Sequence, residues 1–301
     1  MFLHEDTGCF SFYGLNAEQN RYEPFLSGKD PRTSFIELNV NGRINRLGES
    51  SAFRLRTESS GISPAFVFES KTLLVRQEFT FIQTVGSPEI NGIRMTIRLT
   101  NLQSRQAKIS ARIVLNTIQG PEPGEIPFFI NNQRLGAETI IAGTIDRCWV
   151  FRGESLSFLG NIGAVSGENP VYLCIGSWNQ LSKAVKTSAG RKDKNTNTRI
   201  NSIENPAVCY YYDLKQIPPK EEITYSVLLA VEDSGGINSV NLIPVVPPPS
   251  TGSSVQTDSI LLDYIISRLD QYSNGEIEIS DEELAVMEQT INRIKSTYND
   301  P

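Results

Sequence analysis

The side chains best suited to chemistry in this chain are carboxylates. Glycoside hydrolysis needs only two acids flanking the scissile bond. The segment Pro121-Glu122-Pro123-Gly124-Glu125-Ile126-Pro127 sets Glu122 and Glu125 on a stiff loop, with Asp146, Glu154 and Asp213 as acids that could converge on it. The chain holds 34 Asp and Glu, so the competing reading of any isolated loop acid is a solvated surface group. Nucleophilic Ser-His-Asp or Cys-His chemistry needs an imidazole near neutral pH, and His4, close to a terminus expected to fray, is the sole histidine.

Aromatic side chains offer recognition instead of catalysis, because sugar rings and extended peptides both pack on exposed Trp and Tyr faces. Trp178 and the run Tyr210-Tyr211-Tyr212 are the candidates, weighed against plain core packing. In a strand the members of that run alternate in direction, so Tyr211 is expected to differ in burial from Tyr210 and Tyr212. Trp178 and Tyr211 are therefore the expected ligand-binding pair. Cys9, Cys148, Cys174 and Cys209 are widely spaced with no Cys-x-x-Cys pair, which argues against zinc and favours small buried side chains over a disulfide framework. No phosphate-cradling glycine loop or EF-hand pattern occurs, and neither metal nor cofactor is expected.

The elements that would position these residues are mostly strands. Ile93, Met95, Ile97 and Leu99 alternate with polar residues, and Ile109, Ala111, Ile113 and Leu115 repeat the pattern, with a turn at 101–106 between them. Asn91-Gly92 reads as a hairpin signal through positive φ, joining Leu73–Ile82 to Ile93–Leu99 in a three-stranded meander. Further strands are expected at Phe35–Val40, Phe53–Leu55, Ala65–Glu69, Thr139–Ala142, Trp149–Arg152, Val171–Trp178, Val208–Tyr212 and Ile223–Val231. Such a series, punctuated by Gly, Pro, Asn and Ser, predicts a large two-sheet antiparallel β-sandwich over residues 1–242.

Lys183–Arg199 carries six basic residues and few apolar anchors and reads as a long solvated loop, with anion binding as its alternative. A Pro/Ser-rich linker follows at 243–258. The period then turns helical: Leu261, Leu262, Ile265, Ile266, Leu269 and Tyr272 form one stripe. Leu284, Met287, Ile291 and Ile294 form a second, behind Ser280 and Glu283 placed as a capping box. This predicts a C-terminal helical hairpin over 259–301. Its short helices need to dock on something, through Leu284, Met287, Ile291 and Ile294 onto a protein partner or a second copy.

A net charge of -6 and a pI near 5.1 argue against nucleic acid as partner. No apolar stretch approaches the ~18 residues of a membrane span, and Met1–Asp6 is too short and acidic for a leader.

The stretch from Lys71 to Asn116, "LLVRQEFTFIQT" leading into "NGIRMTIRLTNLQSRQAKISARIVLNT", resembles the supersandwich β domains of galactose-mutarotase-like and glycoside-hydrolase-associated proteins. "YYYDLKQIPPKEEITYSVLLAV" is similar to the closing strands of such domains. The resemblance implies a sandwich of carbohydrate-binding shape. Mutarotases of that superfamily use histidine with a catalytic glutamate, and no histidine falls in the matching stretches, so binding rather than epimerase chemistry is what it implies. The seam "EISDEELAVMEQTINRIKS" resembles small envelope proteins of spirochaetes. Together these lead to an expected non-enzymatic, periplasmic or secreted binding or scaffold protein working through the helical hairpin, with a carbohydrate-binding or carbohydrate-active domain as the alternative.

Overall fold

Alternation builds the sheets. In Leu73–Gln83 the side chains of Leu73, Val75, Gln77 and Phe79 are buried, while Leu74, Arg76, Glu78 and Thr80 between them are half-buried on the opposite face. The computed structural model describes residues 1–16, 19–26, 30–58, 63–84, 87, 90–120, 126–142, 148–163, 167–183, 205–232 and 243–244, then positions 266, 269, 273, 284, 288, 291 and 295. The chain divides into two compact units, Met1–Pro244 and Val245–Pro301.

In chain order the described strands are β1 Phe2–His4, β2 Cys9–Ser11, β3 Tyr13–Asn16, β4 Arg21–Pro24, β5 Phe35–Val40, β6 Arg43–Arg46, β7 Arg54–Glu58 and β8 Ala65–Glu69. Then come β9 Leu73–Gln83, β10 Gly92–Asn101, β11 Ala107–Asn116, β12 Phe128–Ile130, β13 Gln133–Arg134 and β14 Thr139–Ala142. β15 Cys148–Arg152, β16 Ser157–Asn161, β17 Tyr172–Ser177, β18 Pro206–Ile217, β19 Glu222–Val231 and β20 Ile243–Pro244 complete the series, with a 3₁₀ turn at Pro31–Thr33 and a short α-helical turn, α1, at Trp178–Leu181. Ten strands form one sheet in the order β13-β12-β15-β16-β19-β10-β9-β8-β7, with β20 on β9. Six form the other, β14-β17-β18-β11-β5-β6, and β1-β2 and β3-β4 are separate hairpins. Every pairing is antiparallel, so the first unit is a mainly β, two-sheet sandwich.

The core lies between the sheets. Phe25 stacks on Trp149 at 5.8 Å and touches the rings of Phe12, Phe151 and Phe158. Trp149 Nε1 donates to Tyr210 Oη at 3.0 Å, and Tyr210 Oη donates to the Asn161 carbonyl at 2.7 Å. This buried relay joins β15 and β16 of one sheet to β18 of the other. Each polar group brought into the core by the two aromatics is thereby satisfied.

The sequence-predicted meander is corrected. β9 and β10 pair, but β10 takes β19 on its other side, and β11 crosses to the six-stranded sheet between β18 and β5. Alternation shows which residues of a strand share a face but not which sheet the strand joins. Asn91 and Gly92 do not form the turn either, since neither has positive φ. Asn91 instead pins the base of the loop, its Oδ1 accepting from Thr84 N at 2.9 Å and its Nδ2 donating to the Val231 carbonyl at 3.1 Å. Left-handed tight turns occur at Asn41-Gly42 and Asn131-Asn132, where the short side chain or its absence tolerates positive φ.

The C-terminal hairpin has seven described positions, Ile266, Leu269, Ser273, Leu284, Glu288, Ile291 and Lys295, each in helical backbone. The hairpin as a whole, the linker beyond Pro244 and the basic stretch from 184 lie outside the described residues. Among the described residues no helix is long and apolar enough to cross a membrane.

The crossover from β10 to β11 rests on Asn101, fully buried, whose Nδ2 donates to the carbonyls of Arg105, Ile217 and Pro218 at 2.8–3.0 Å. Its Oδ1 accepts from Gln103 N at 3.0 Å. Asn101→Ala leaves these buried groups without partners and is expected to destabilise the chain by about 1–3 kcal/mol. The measurement is a lowered urea midpoint with an unchanged slope.

Candidate functional site

Each side chain of the candidate site is set by its register in the six-stranded sheet. The pairings Tyr172↔Tyr211, Tyr211↔Arg112, Arg112↔Glu37 and Glu37↔Arg46 run across β17, β18, β11, β5 and β6. Facing residues on neighbouring strands share a side of the sheet. The core-directed neighbours Tyr210, Tyr212, Ile113, Ile36 and Leu38 point inward, so this row of Tyr, Tyr, Arg, Glu and Arg lies on the outer face.

Glu37 and Arg112 are buried there as a bidentate pair, with Arg112 Nε donating to Glu37 Oε1 at 2.7 Å and Nη2 to Oε2 at 3.0 Å. The remaining Arg112 Nη1 donates to the Leu181 carbonyl at 2.7 Å. Buried charge survives only when paired and fully hydrogen-bonded, and removing one partner of such a pair costs about 3–5 kcal/mol. Arg46 lies 3.7 Å above the Phe35 ring centroid and donates to the Ser182 carbonyl at 3.1 Å.

On one side of the row lies an apolar patch of Phe35, Val114, Cys174, Leu181, Ala207 and Cys209, with Trp178 and Tyr211 packed against it. On the other side a depression of about 50 Å³ opens, lined by Glu37, Asn39, Ser110, Arg112, Tyr172 and Tyr211 among others. The two tyrosine rings stack at 4.6 Å and both are half-buried. Asn39 Oδ1 is buried without a hydrogen-bond partner, an unmet acceptor beside a polar hollow. The register slips beside Ser110, where Asp213 and Leu214 together oppose one residue. Bulges of this kind re-aim side chains and terminate regular pairing.

The residues expected from sequence fare differently. Tyr211 lines the depression and, as expected, is more exposed than Tyr210 and Tyr212. Trp178 is in α1, its Nε1 donating to the Thr33 carbonyl at 2.8 Å, on the apolar side of the row. Asp213 sits in the bulge with its Oδ1 accepting from Leu214 N at 2.6 Å. Glu154 is exposed in the loop between β15 and β16. Glu122, Glu125 and Asp146 lie outside the described residues, as do Met287 and Ile294, while Leu284 and Ile291 are in helical backbone.

His4 is not frayed: it belongs to β1, with Nε2 2.8 Å from Ser11 Oγ. Ser11 is buried and no acid orients the imidazole, whose pKa is lowered by burial, so the contact closes a hairpin. Among the described residues no group of three or more His, Cys, Asp or Glu side chains converges to hold a metal. All four cysteines are free and buried.

Sequence reasoning missed Glu37, Arg112, Asn39 and Glu138. Glu37 and Arg112 are 75 positions apart, and each reads as the solvent-facing member of an alternating strand. Glu138 precedes the edge strand β14 and lies over Gly176, where an added Cβ would collide with Oε1. Burial raises its pKa, with an opposing contribution from the Cys174 thiol. A carboxyl with a raised folded-state pKa stabilises the fold in its protonated form, and that contribution is lost as pH rises through the folded pKa. Glu138→Gln is therefore expected to raise the melting temperature relative to the parent at pH 7–8, with the difference vanishing near pH 4. A pH series of thermal melts reads it.

Neither a family model nor a curated protein matches the sequence. Among solved structures the chain is similar to a galactose mutarotase related enzyme from Lactobacillus acidophilus, at a TM-score of 0.42 and 8% identity, over 75% of this chain and 98% of that one. It is also similar to a polysaccharide lyase, at a TM-score of 0.37 and 11% identity, over 78% of this chain and 32% of the lyase. Similarities of this size are too low to transfer an activity.

Proposed function

We propose that this chain is a carbohydrate-binding domain that holds a neutral sugar in the depression on the outer face of the six-stranded sheet. The observation that carries the reading is the stacked Tyr172–Tyr211 pair bordering a hollow with an unmet buried acceptor, Asn39 Oδ1. Apolar C–H faces of a pyranose pack on aromatic rings, and its hydroxyls can exchange hydrogen bonds with Ser110 and supply the donor Asn39 lacks once a turn of its amide brings Oδ1 to the hollow. A neutral ligand fits because the charges on the floor are already matched, Glu37 to Arg112. A hollow this small covers part of one sugar unit, which suits an exposed polymer or a terminal residue better than an engulfed small molecule.

A glycan array probed with the full chain tests the reading, followed by titration calorimetry on Tyr211→Ala. The expected result is retention of one class of neutral glycan, weakened at least about tenfold by the substitution, as loss of an aromatic contact of about 1.5 kcal/mol requires. Failure of the folded chain to retain any neutral glycan overturns it. Turnover of the retained glycan that is lost in Asp213→Asn would convert the binding domain into a carbohydrate-active one.

A second reading, an extracytoplasmic scaffold using the C-terminal helices, is favoured by exposed apolar side chains in helical backbone, Ile266, Leu269 and Leu284. Leu284 and Ile291 are seven residues apart, which puts them on one helical face. Ile291→Asp is expected to leave the melting temperature within a degree or two while abolishing self-association in sedimentation velocity. An unchanged sedimentation coefficient removes self-association as the role of that face.

A further inference from the structure

Arg112 faces two ways. Toward β5 it is gripped by Glu37 through two hydrogen bonds of 2.7 and 3.0 Å. Away from the sheet it donates to the Leu181 carbonyl at 2.7 Å, next to the Ser182 carbonyl held by Arg46 at 3.1 Å. Those two carbonyls close α1, whose other end is tied by Trp178 Nε1 to the Thr33 carbonyl. Between the ties, Leu181 packs down onto Phe35, Val114, Cys174, Ala207 and Cys209. Residues 178–182 thus form a strap over an apolar patch containing two facing thiols, Cys174 and Cys209. One carboxylate, Glu37, orients Arg112 and lies 3.9 Å from Arg46.

We propose that this strap opens and closes on the sheet, that Glu37 latches it through Arg112 and Arg46, and that ligand in the adjoining depression favours the closed state. The ligand arm rests on the carbohydrate reading; the latch does not. The coupling is physical, because Glu37 and Arg112 line the depression and also hold the strap. A ligand over them removes water, strengthens their mutual attraction and keeps the guanidinium aimed at the Leu181 carbonyl. By linkage, a closed strap then raises affinity for the ligand by the same factor. Opening breaks the Arg112 and Arg46 bonds to the Leu181 and Ser182 carbonyls and lifts Leu181 off the patch, while Trp178 keeps its bond to the Thr33 carbonyl as the pivot. That is far less than global unfolding, and so it is a local event.

The four buried free thiols report on it. Cys174 and Cys209 lie beneath the strap, whereas Cys9 is in the β1–β2 hairpin and Cys148 is in the ten-stranded sheet. Alkylation of the full chain by N-ethylmaleimide, resolved by peptide mass spectrometry, gives a rate for each. Glu37→Gln is expected to speed Cys174 and Cys209 at least about tenfold, the low end of what uncharging one partner of the pair costs, with Cys9 and Cys148 within about twofold of the parent. Cys174 decides, because Glu37 also holds the Cys209 thiol pKa up directly.

Parent rates at all four thiols in a cooperatively melting Glu37→Gln overturn the latch. If all four accelerate together the fold has loosened, and Arg46→Met decides. That variant leaves the Glu37–Arg112 pair in place, so selective acceleration at Cys174 and Cys209 supports the latch and none overturns it. For the ligand arm the probe is D-galactose, then D-glucose, with bound fraction measured by calorimetry. Binding that slows Cys174 and Cys209 at least about threefold, and no longer does so in Tyr211→Ala, supports the coupling. Binding that leaves both rates unchanged overturns the coupling but not the carbohydrate reading. A latch that opens in Glu37→Gln in a chain that retains no neutral glycan overturns the carbohydrate reading but not the latch.

Discussion

A strand buried on both faces must satisfy whatever polar side chain its second face carries, and that constraint organises the six-stranded sheet. In β11 the inward positions Ile109, Ala111, Ile113 and Leu115 fill the core, yet Arg112 and Val114 on the outer side are buried as well. A guanidinium cannot be withdrawn from water without a matching charge and acceptors for its remaining N–H groups. Glu37, on the next strand, meets it in two bonds, and the Leu181 carbonyl takes a third. The pair therefore dictates where α1 ends, and the α1 contacts dictate that Phe35, Cys174 and Cys209 are covered. The depression takes its neutral floor from the same pair.

The opposite sheet solves its outer face differently. There Glu58 is bridged to Arg56 and Arg76, while Glu78 lies 3.1 Å from Arg76 and 2.9 Å from Arg98. The pairings across β7, β9 and β10 thus alternate charge without burying it, since these side chains remain partly exposed. Such ladders contribute little to stability individually. The contrast holds for that stretch alone, because around β10, β19 and β16 the ten-stranded sheet also covers its outer face, burying Thr96, Ser226, Leu228 and Ala230.

Much of the strand content was legible because period two is a direct imprint of burial. Ala65–Glu69 and Thr139–Ala142 match the expected bounds, and β9, β10 and β19 differ by only one or two residues at their ends. Sheet membership was not legible, as β11 shows: an amphipathic strand is satisfied by either sheet, and the choice is made by long-range packing. Positive φ closes the β5–β6 and β12–β13 hairpins at Asn41-Gly42 and Asn131-Asn132, dipeptides legible as turn signals, whereas the similar Asn91-Gly92 serves a loop base. The half-buried position of Tyr211 was legible because a run of three tyrosines in a strand cannot all point one way.

The polar half of the site was hidden for a reason that extends beyond this chain. Asn39, Glu37 and Arg112 each alternate with core residues, which is the pattern of an ordinary solvent-facing position, and only tertiary cover distinguishes a buried outer face from a wet one. Over Glu37 and Arg112 that cover comes from a segment, Trp178–Ser182, that has four residues of helix and no periodicity to announce it. A sequence pattern records one burying partner per strand face; a second, contributed by a short excursion between β17 and β18, leaves no periodic trace. Function in this sandwich is therefore best sought beside the place where an irregular segment lies on a regular sheet, because the buried pair under that segment adjoins a depression with an unmet acceptor and a break in register.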